Sequence, residues 1–445
     1  MIRCVDSIRP CLEGVIPAFV ATCSLDGTPN IALASQLEYV DAQHVALSFQ
    51  FFNKTRANIL VHPYATVMVF NNETGEAFRL SMQYLHTETE GRLFQRMKVK
   101  LAGIASHTGM AGVFKLQGAD VYRVLAVERV PGKSLPAGPD ERNLLPAMRA
   151  VSERLAHAAD LSGLFDDTLK SLEQHFGFRH SMFLVLDESG KRLYTVASRG
   201  YAQSGVGSEI AVGDGIIGVA AEHRTPIRIA HMATEYNYAL NLRARALEAG
   251  IAAQAEIPFA GLPDSNSQLA VPILAADRLL GVLYLESPEQ RRFSYNDEDA
   301  LVSIAQQIGL MMRALQSVET QEEAPAISPA APQLSGGAPV AVRYFPENDS
   351  VFLADDYLIK GVAGAILWKL VNAHVSCGRV DFSNRELRLD PALRLPDIDD
   401  NLEARLILLS RRLRERCDFL GLEKTGRGRF RLRVERTLQL VSPGP

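Results

Sequence analysis

The side chains most suited to binding chemistry lie near the C-terminus, between residues 401 and 434, where arginines alternate with apolar residues. Leucines four, three and four residues apart, from Leu402 to Leu413, predict one apolar face of a helix. A stripe of arginines that begins at Arg405 lies on another face, and basic residues around the turn 426–428 predict a hairpin. Two adjacent basic elements suit a nucleic acid duplex, because its phosphates take up the charge and release counterions. The alternative is a helix whose basic face is only solvated.

A second group of residues that could bind a ligand lies in the N-terminal part of the chain, in the sequence FFNKTRANILVH between two predicted strands. Lys54 and Arg56 are cations, Thr55 carries a hydroxyl, and a short helix is predicted to begin here. Two cations, a hydroxyl and the unpaired amides of a helix N-terminus form a seat for a phosphate group. The alternative is an ordinary helix cap, formed by Asn53 or Thr55, with both cations solvated.

The composition is that of a globular protein, with 47% apolar and 22% charged residues. The net charge of −4 means that the basic excess near the C-terminus is local. No apolar run reaches the ~18 residues that a membrane span needs, and charges in the N-terminal segment argue against a secretory signal. Five cysteines, an odd number, favour a reducing compartment over a disulfide framework. We therefore expect a cytoplasmic protein without a membrane partner.

Changes of composition divide the chain. Residues 321–340 are rich in Pro, Ala, Ser and Gly, which is typical of a linker that cannot bury enough apolar surface to fold. A weaker boundary lies at residues 130–143, which hold three prolines and two glycines. The fold class expected is a multidomain α+β protein. The predicted units are residues 1–135, residues 142–318, a flexible linker at 319–341, and residues 342–440.

Each unit has its own pattern of elements. The first contains a hairpin signal at Asp26-Gly27 and six predicted strands with short helices, which indicate a small barrel. The second is predicted to begin with a helix from about 144 to 173 and to end with a helix from 296 to about 316. Between them lie hairpins, which favours a sandwich with a central antiparallel sheet. The third contains a capping box at Ser383 and Glu386 and the order helix, helix, basic helix, hairpin.

The first unit resembles the flavin-binding split barrel of the pyridoxamine 5′-phosphate oxidase superfamily. The resemblance rests on the hairpin ATCSLDGTPNIALAS, the turn LSFQFFNKTRANIL and the strand HPYATVMV. It implies bound flavin mononucleotide (FMN) and a dimer with the flavin at its interface. The side chains it assigns are Lys54, Thr55, Arg56 and Asn58 to the phosphate, Ser48, Phe49 and Gln50 to the flavin ring, and Gln83 to either. The residues that grip the substrate phosphate in the oxidases cannot be placed in this chain.

The second unit resembles a GAF domain, in the sequences VPILAADRLLGVLYLES and VGDGIIGVAAEHRTPIRI. The resemblance implies a module that senses a small molecule, whose identity stays unknown. The unit holds no cysteine, which excludes a thioether-linked bilin and thiolate ligation of haem, and no histidine spacing indicates a metal site. Residues 231–250 occupy the place of the segment that covers the ligand. There Tyr236, Tyr238 and Arg243 are candidate ligand contacts, the alternative being an ordinary packed helix and loop.

The last helix of this unit carries a heptad-like apolar seam from Leu301 to Leu315. Such a seam suits pairing with a second copy of the chain, although part of it is expected to face its own sheet. We therefore expect a homodimer, which would also match a two-fold DNA site.

The third unit resembles the winged-helix output domain of response-regulator transcription factors. The matching residues are the run 410–414 in the basic helix and 425–432 in the hairpin, although the Gly and Arg spacing of the hairpin is altered. The resemblance places four arginines of the helix at bases or phosphates and two of the hairpin at the neighbouring backbone or minor groove. These DNA-binding candidates are Arg405, Arg411, Arg412, Arg414, Arg427 and Arg429.

The leading hypothesis is a dimeric, cytoplasmic, signal-responsive DNA-binding regulator in which the first two units bias the third. The main alternative is an FMN-dependent oxidoreductase of the same barrel superfamily whose later domains regulate it. A protein-interaction scaffold, in which the winged helix docks protein instead of DNA, is a third. No catalytic residue and no metal ligand is assigned, so enzymatic activity is left open.

Overall fold

The structure is a computed structural model. It describes the chain outside residues 1–4, 13–17, 35, 51–53, 72–73, 108–114, 136–142, 230–256, 320–337, 394–401 and 442–445.

The N-terminal unit is built on a seven-stranded sheet in the order β2-β1-β5-β6-β7-β4-β3. Its strands are β1 (Ala18–Cys23), β2 (Pro29–Ala34), β3 (Leu37–Asp41), β4 (His44–Phe49), β5 (Tyr64–Phe70), β6 (Ala77–Glu88) and β7 (Gly118–Val130), with helices α1 (Lys54–Val61) and α2 (Gly91–His107). A 3-10 helix, Val5–Leu12, precedes them. The hairpin between β1 and β2 turns through Gly27, whose φ of 83° suits glycine.

Six strands were expected here, and the additional one is β3. Its burial does not alternate, since Leu37 and Glu38 are both buried. The Glu38 carboxylate lies 2.9 Å from Lys100 Nζ and 3.0 Å from Arg96 Nε, both on α2. A buried carboxylate with two cations therefore interrupts the apolar alternation by which a strand is recognised.

The central unit has a six-stranded sheet in the order β10-β9-β8-β13-β12-β11. Its strands are β8 (His180–Leu186), β9 (Arg192–Arg199), β10 (Glu209–Ala211), β11 (Ile227–Ile229), β12 (Ser267–Ala275) and β13 (Arg278–Ser287), and its helices are α3 (Leu145–Ala156), α4 (Leu161–Ser171), α5 (Gly215–His223) and α6 (Tyr295–Glu319). Neighbouring strands pair antiparallel, as predicted. Helices α3, α4 and α6 share an apolar cluster on one face of the sheet, and α5 packs on the other.

The helix predicted from 144 to 173 is wrong as one continuous element. Helix α3 ends at Ala156 and α4 begins at Leu161. Asp160 adopts an extended conformation, and its carboxylate accepts a hydrogen bond from the Gly163 amide at 2.9 Å. A capping aspartate starts a new helix, because it satisfies an amide that the first turn leaves without a partner.

In its described residues, the C-terminal unit combines two small sheets with three α-helices. Its elements are β14 (Val340–Phe345), β15 (Ser350–Leu353), β16 (Asp356–Ile359), α7 (Gly361–Cys377), β17 (Asp381–Ser383), α8 (Asn384–Arg388), α9 (Leu402–Arg416), β18 (Leu420–Gly426), β19 (Arg429–Val434) and β20 (Leu438–Val441). The sheets have the orders β16-β15-β14-β20 and β17-β19-β18, with β20 parallel to β14. The predicted capping box is confirmed, since Ser383 Oγ accepts from the Glu386 amide at 3.3 Å.

The apolar seam of α6 lies against its own domain. Leu301, Ile304 and Ile308 are fully buried in the cluster shared with the sheet, whereas Leu310 on another face is exposed. These buried residues are not available to a second copy of the chain. The homodimer therefore stays a prediction, and this seam does not support it. Among the described residues, no helix combines the length and the apolar character needed to cross a membrane.

Candidate nucleic-acid interface and cofactor site

Helix α9 is buried on two faces. Leu409 and Leu413 lie in the core of the C-terminal unit. Ala404 and Ile407 project from the other side of the helix and belong to the apolar cluster of the central unit. The face opposite the helix's own core is thus covered by the central domain.

Arg405 is held by the central unit. Its Nη2 donates to Glu188 Oε2 at 2.6 Å and its Nε to Glu188 Oε1 at 3.2 Å. The guanidinium also lies 3.9 Å from the centroid of the Tyr194 ring. Burial disfavours the charge of Arg405, but Tyr194 and Glu188 outweigh it and raise the Arg405 pKa above its ordinary value.

Arg411 contacts the same domain through α4 and β9. Its Nη1 donates to the Val196 carbonyl at 2.8 Å, and its Nη2 donates to Asp166 at 2.9 Å and to Ser162 Oγ at 3.2 Å. Burial lowers the Arg411 pKa, although Asp166 acts against the change. On the neighbouring strand β18, Lys424 Nζ lies 2.8 Å from Asp160, the residue that caps α4.

The remaining arginines differ in their surroundings. Arg412 turns into its own domain, where its Nε donates to the Leu358 carbonyl of β16 at 3.2 Å. Arg414 is exposed on α9, and Arg427 is exposed at the tip of the β18–β19 hairpin. Arg429 begins β19 and is half-buried. The structure thus places the six predicted DNA-binding residues on one helix and hairpin, and Arg405, Arg411 and Arg412 bind protein groups there.

A cavity of about 310 Å³ remains between α4, α9 and the hairpin. Arg414 and Arg429 line its C-terminal wall, and Asp160 and Asp166 line the opposite wall. Cations of the C-terminal unit therefore face carboxylates of the central unit across this cavity.

In the N-terminal unit, the side chain of Arg56 on α1 binds residues of the sheet. It pairs with the buried Asp120 on β7, donates to Thr87 Oγ1 at 3.1 Å, and lies 4.0 Å from the centroid of the Phe49 ring. Thr87 itself donates to Asp120 at 2.6 Å. The carboxylate of Asp120 offsets the charge that Arg56 was expected to offer a phosphate.

Two amide side chains fix α1 on the sheet. Asn58 is buried and donates to Thr22 Oγ1 at 3.1 Å, and Asn30 donates to Thr55 Oγ1 at 2.8 Å. Lys54, at the first turn of α1, is exposed.

The residues predicted at the flavin ring lie at the end of β4. Gln50 is buried, and its Nε2 donates to Ser48 Oγ at 3.3 Å. Gln50 Oε1 is also buried, and it has no hydrogen-bond partner among the described residues. Gln83 lies on β6, in register with Tyr64 and Arg123.

The predicted ligand contacts Tyr236, Tyr238 and Arg243 lie outside the described residues. The described interior of the central unit contains a buried carboxyl group on β13, that of Glu286. It accepts hydrogen bonds from the Leu262 amide at 3.0 Å and from Tyr284 at 3.3 Å. Burial raises the pKa of Glu286 to about 7, although these donors act against the change.

A cluster of cations around Tyr295 joins the N-terminal and central units. The Tyr295 hydroxyl donates to the Leu12 carbonyl at 3.0 Å. The guanidinium groups of Arg9 and Arg228 lie 4.7 and 4.3 Å from the ring centroid. Arg228 also pairs with Glu298 at 3.0 Å, so the two domains meet through a buried polar network.

Sequence reasoning missed the acidic partners. Asp120 pairs with a residue 64 positions away, and Glu188 with one 217 positions away. No local pattern marks such a carboxylate, because its spacing to the partner is set by the tertiary fold.

Comparison with known proteins identifies the central unit. Residues 158–313 match the family model of the GAF domain, GAF_2, which confirms that prediction. The chain is similar to the GAF domain of an Acinetobacter phosphoenolpyruvate-protein phosphotransferase, with 17% identity, 41% of this chain and 99% of that chain covered, and a TM-score of 0.32. A free methionine-R-sulfoxide reductase from Neisseria meningitidis, solved with its substrate, is similar at 17% identity, with coverages of 41% and 98% and a TM-score of 0.32.

A third similar structure corresponds to a shorter part of the chain. It is an FMN-binding protein from Syntrophomonas wolfei subsp. wolfei, with 21% identity, 28% of this chain and 86% of that chain covered, and a TM-score of 0.25. No curated protein matches the chain. Residues 158–313 of this chain are a GAF domain.

Proposed function

We propose that the protein is a signal-responsive DNA-binding regulator whose C-terminal unit is a winged-helix domain under the control of the GAF domain. The observation that carries the proposal is the order α7, α8, α9 and then the β18–β19 hairpin, with α9 and the hairpin side by side. In winged-helix proteins the last helix enters the major groove, and the wing contacts the adjacent backbone.

The distribution of charge on α9 supports this assignment. Its leucine face is used by its own domain core, so DNA would have to bind the opposite face, which carries Arg411 and Arg414 and on which the GAF domain packs in this structure. Arg427 extends the basic surface at the hairpin tip. Cations on two adjacent rigid elements follow the phosphates of a duplex better than cations on a mobile tail.

The test is binding of a fluorescent DNA duplex by the full-length protein, measured by anisotropy. The variant Arg414→Gln/Arg427→Gln is expected to bind more weakly and to reduce the salt slope by about two, or about one for each lost phosphate contact. The control is Arg149→Gln, which removes an exposed cation of α3 in the GAF domain. Equal salt slopes for the wild type and the double variant would show that Arg414 and Arg427 do not contact the phosphates, and would contradict the proposed interface.

We also propose that the N-terminal unit binds FMN, on the observation of the buried, unpartnered Gln50 Oε1. This acceptor fits the N–H donor of a flavin ring, and the hydroxyl of Ser48 lies beside it. Lys54 and Thr55 at the first turn of α1 fit a phosphate, whereas Arg56 is already offset by Asp120. FMN would supply redox chemistry; Gln50 and Ser48 would orient its ring, and Lys54 would hold its phosphate.

Titration of the purified protein with FMN, followed by quenching of flavin fluorescence, tests this second proposal. Gln50→Ala and Lys54→Gln are each expected to weaken binding, since one removes a ring partner and the other a phosphate partner. Lys170→Gln, on the GAF helix α4, is the matched control. The absence of both co-purified flavin and saturable quenching would refute the FMN assignment.

A further inference from the structure

We infer that the GAF domain masks the DNA-binding face of α9 in this structure, so that the protein is held in an autoinhibited state. The masking surface is defined by Asp160, Asp166, Glu188 and Tyr194, and is called the clamp surface below. The inference rests on the proposed DNA-binding function and concerns how that function is regulated.

The first argument is one of charge. Each carboxylate of the clamp surface pairs with a different cation of the C-terminal unit: Glu188 with Arg405, Asp166 with Arg411, and Asp160 with Lys424. The carboxylates occupy donors that a phosphate backbone would need. Because one guanidinium cannot serve a carboxylate and a phosphate at full strength together, DNA and the clamp surface compete.

The second argument is steric. Ala404 and Ile407 on the outer face of α9 are buried in the apolar cluster of the GAF domain. A major groove about 12 Å wide admits a helix with its side chains, but not a helix with a second domain packed on it. DNA can therefore reach this face only after the GAF domain has moved away.

The third argument concerns release. Asp166 and Lys424 are largely exposed at the edge of the contact, where solvent and salt weaken an ion pair. Of the three pairs described between α9 or the hairpin and the clamp surface, the Arg405–Glu188 pair is the one that is deeply buried. A contact with one buried pair and a wet edge can open at a modest free-energy cost, as a switch requires.

The clamp surface is also connected to the opposite face of the GAF sheet. Glu188 lies in the turn between β8 and β9, and Tyr194 lies on β9. The same two strands contribute Leu184 and Leu193 to the apolar cluster under α5, on the other side of the sheet. An event on that side therefore acts on the strands that carry Glu188 and Tyr194.

The experiment compares the full-length wild type with the variant Asp166→Asn/Glu188→Gln, which removes two carboxylates without touching the proposed DNA contacts. Anisotropy with a labelled duplex measures affinity, and hydrogen–deuterium exchange measures the protection of α9. The variant is expected to bind DNA more tightly, on the order of tenfold, the usual size of an allosteric coupling. Exchange is expected to rise in α9 but not in α7. Glu173→Gln, which alters an exposed pair with Arg199 elsewhere on the GAF domain, is the control.

The outcomes separate the inference from the function on which it rests. If wild type and variant bind DNA with the same salt-sensitive affinity, DNA binding stands and the masking inference is overturned. If α9 keeps its protection in the variant, the clamp surface does not hold the helix, and the inference is likewise overturned. If neither protein binds DNA at low salt while exchange in α9 rises, the proposed function fails and the contact is a structural domain interface.

Discussion

At the scale of single residues, the partner decides what an arginine does in this molecule. Arg405 and Arg56 are both neutralised by carboxylates of low exposure, Glu188 and Asp120. Arg414, of the same type and in the same helix as Arg405, is exposed. The sequence predicted a basic stripe on this helix, but it could not distinguish these roles, because the partners are distant along the chain.

The Arg56–Asp120 pair gives a first prediction. Replacing Arg56 by Gln leaves a buried carboxylate without its cation, and we expect the N-terminal unit to lose about 3–5 kcal/mol of unfolding free energy. The control is Arg79→Gln on β6, whose pair with Glu128 is exposed and is worth less than about 1 kcal/mol. Calorimetry of the full chain would follow the unfolding transition of this unit. Equal losses of unfolding free energy in the two variants would contradict the claim that the buried Arg56–Asp120 pair contributes more than the exposed pair.

Glu286 gives a prediction of pH dependence. Its pKa is raised in the folded state from an ordinary 4.5 to about 7, so folding favours the protonated carboxyl. Its contribution to stability is therefore complete below the ordinary pKa and is lost as the pH rises through about 7. We expect Glu286→Gln to flatten the fall of the GAF melting temperature over this range, as measured by calorimetry.

The control for this experiment is Glu153→Gln, an exposed residue of α3. An unchanged pH slope in Glu286→Gln, relative to the wild type, would mean that another group causes the fall.

At the scale of elements, what is local in the chain was predictable. The turns at Gly27 and Gly428 have positive φ angles, and the predicted cap at Ser383 is a short-range hydrogen bond. The cap at Asp160 is equally local, but it was missed, and one continuous helix was predicted there. The strand β3 was missed because its buried Glu38 depends on cations of α2. The residues of the proposed flavin site are close to one another in the sequence, whereas Asp120, the partner of Arg56, is 64 positions from it and no local pattern marks it.

The packing of α6 on β12 depends on Gly309. A Cβ at this position would come within 2.1 Å of the Leu274 carbonyl oxygen, a contact that requires the backbone to shift. We expect Gly309→Ala to lower the unfolding free energy of the GAF domain by about 1–3 kcal/mol, despite the better helix propensity of alanine. Thermal unfolding is the measurement.

Gly132→Ala serves as the matched control, because nothing lies within 4 Å of a Cβ there. A Gly309→Ala variant as stable as Gly132→Ala would show that α6 can move off the sheet without cost.

At the scale of the whole molecule, composition predicts a division into three units, but it does not predict the contacts between them. The linker predicted at residues 319–341 gave no reason to expect that the C-terminal unit contacts the GAF domain. The structure has α9 on the clamp surface, and it has the N-terminal unit joined to the same GAF domain around Tyr295. The GAF domain therefore contacts both the unit that holds the proposed flavin site and the proposed DNA-binding helix.

This arrangement predicts that the contacts of Tyr295 couple the unfolding of the N-terminal unit to that of the GAF domain. Tyr295→Phe removes the hydrogen bond to Leu12 while keeping the ring that contacts Arg9 and Arg228. We expect Tyr295→Phe to lower the free energy of unfolding by about 1 kcal/mol. Tyr295→Ala also loses the ring contacts and should separate the calorimetric transitions of the two units. Identical melting profiles for both variants would contradict the coupling.

The most direct test of the account is the salt dependence of duplex binding by the full-length Asp166→Asn/Glu188→Gln protein, which has the mask weakened and the proposed DNA contacts intact. The account predicts that the logarithm of the affinity falls linearly with the logarithm of the salt concentration, with a slope of about −3 or steeper, as for three or more neutralised phosphates. A failure to bind at low salt, or an affinity that salt does not change, would contradict it.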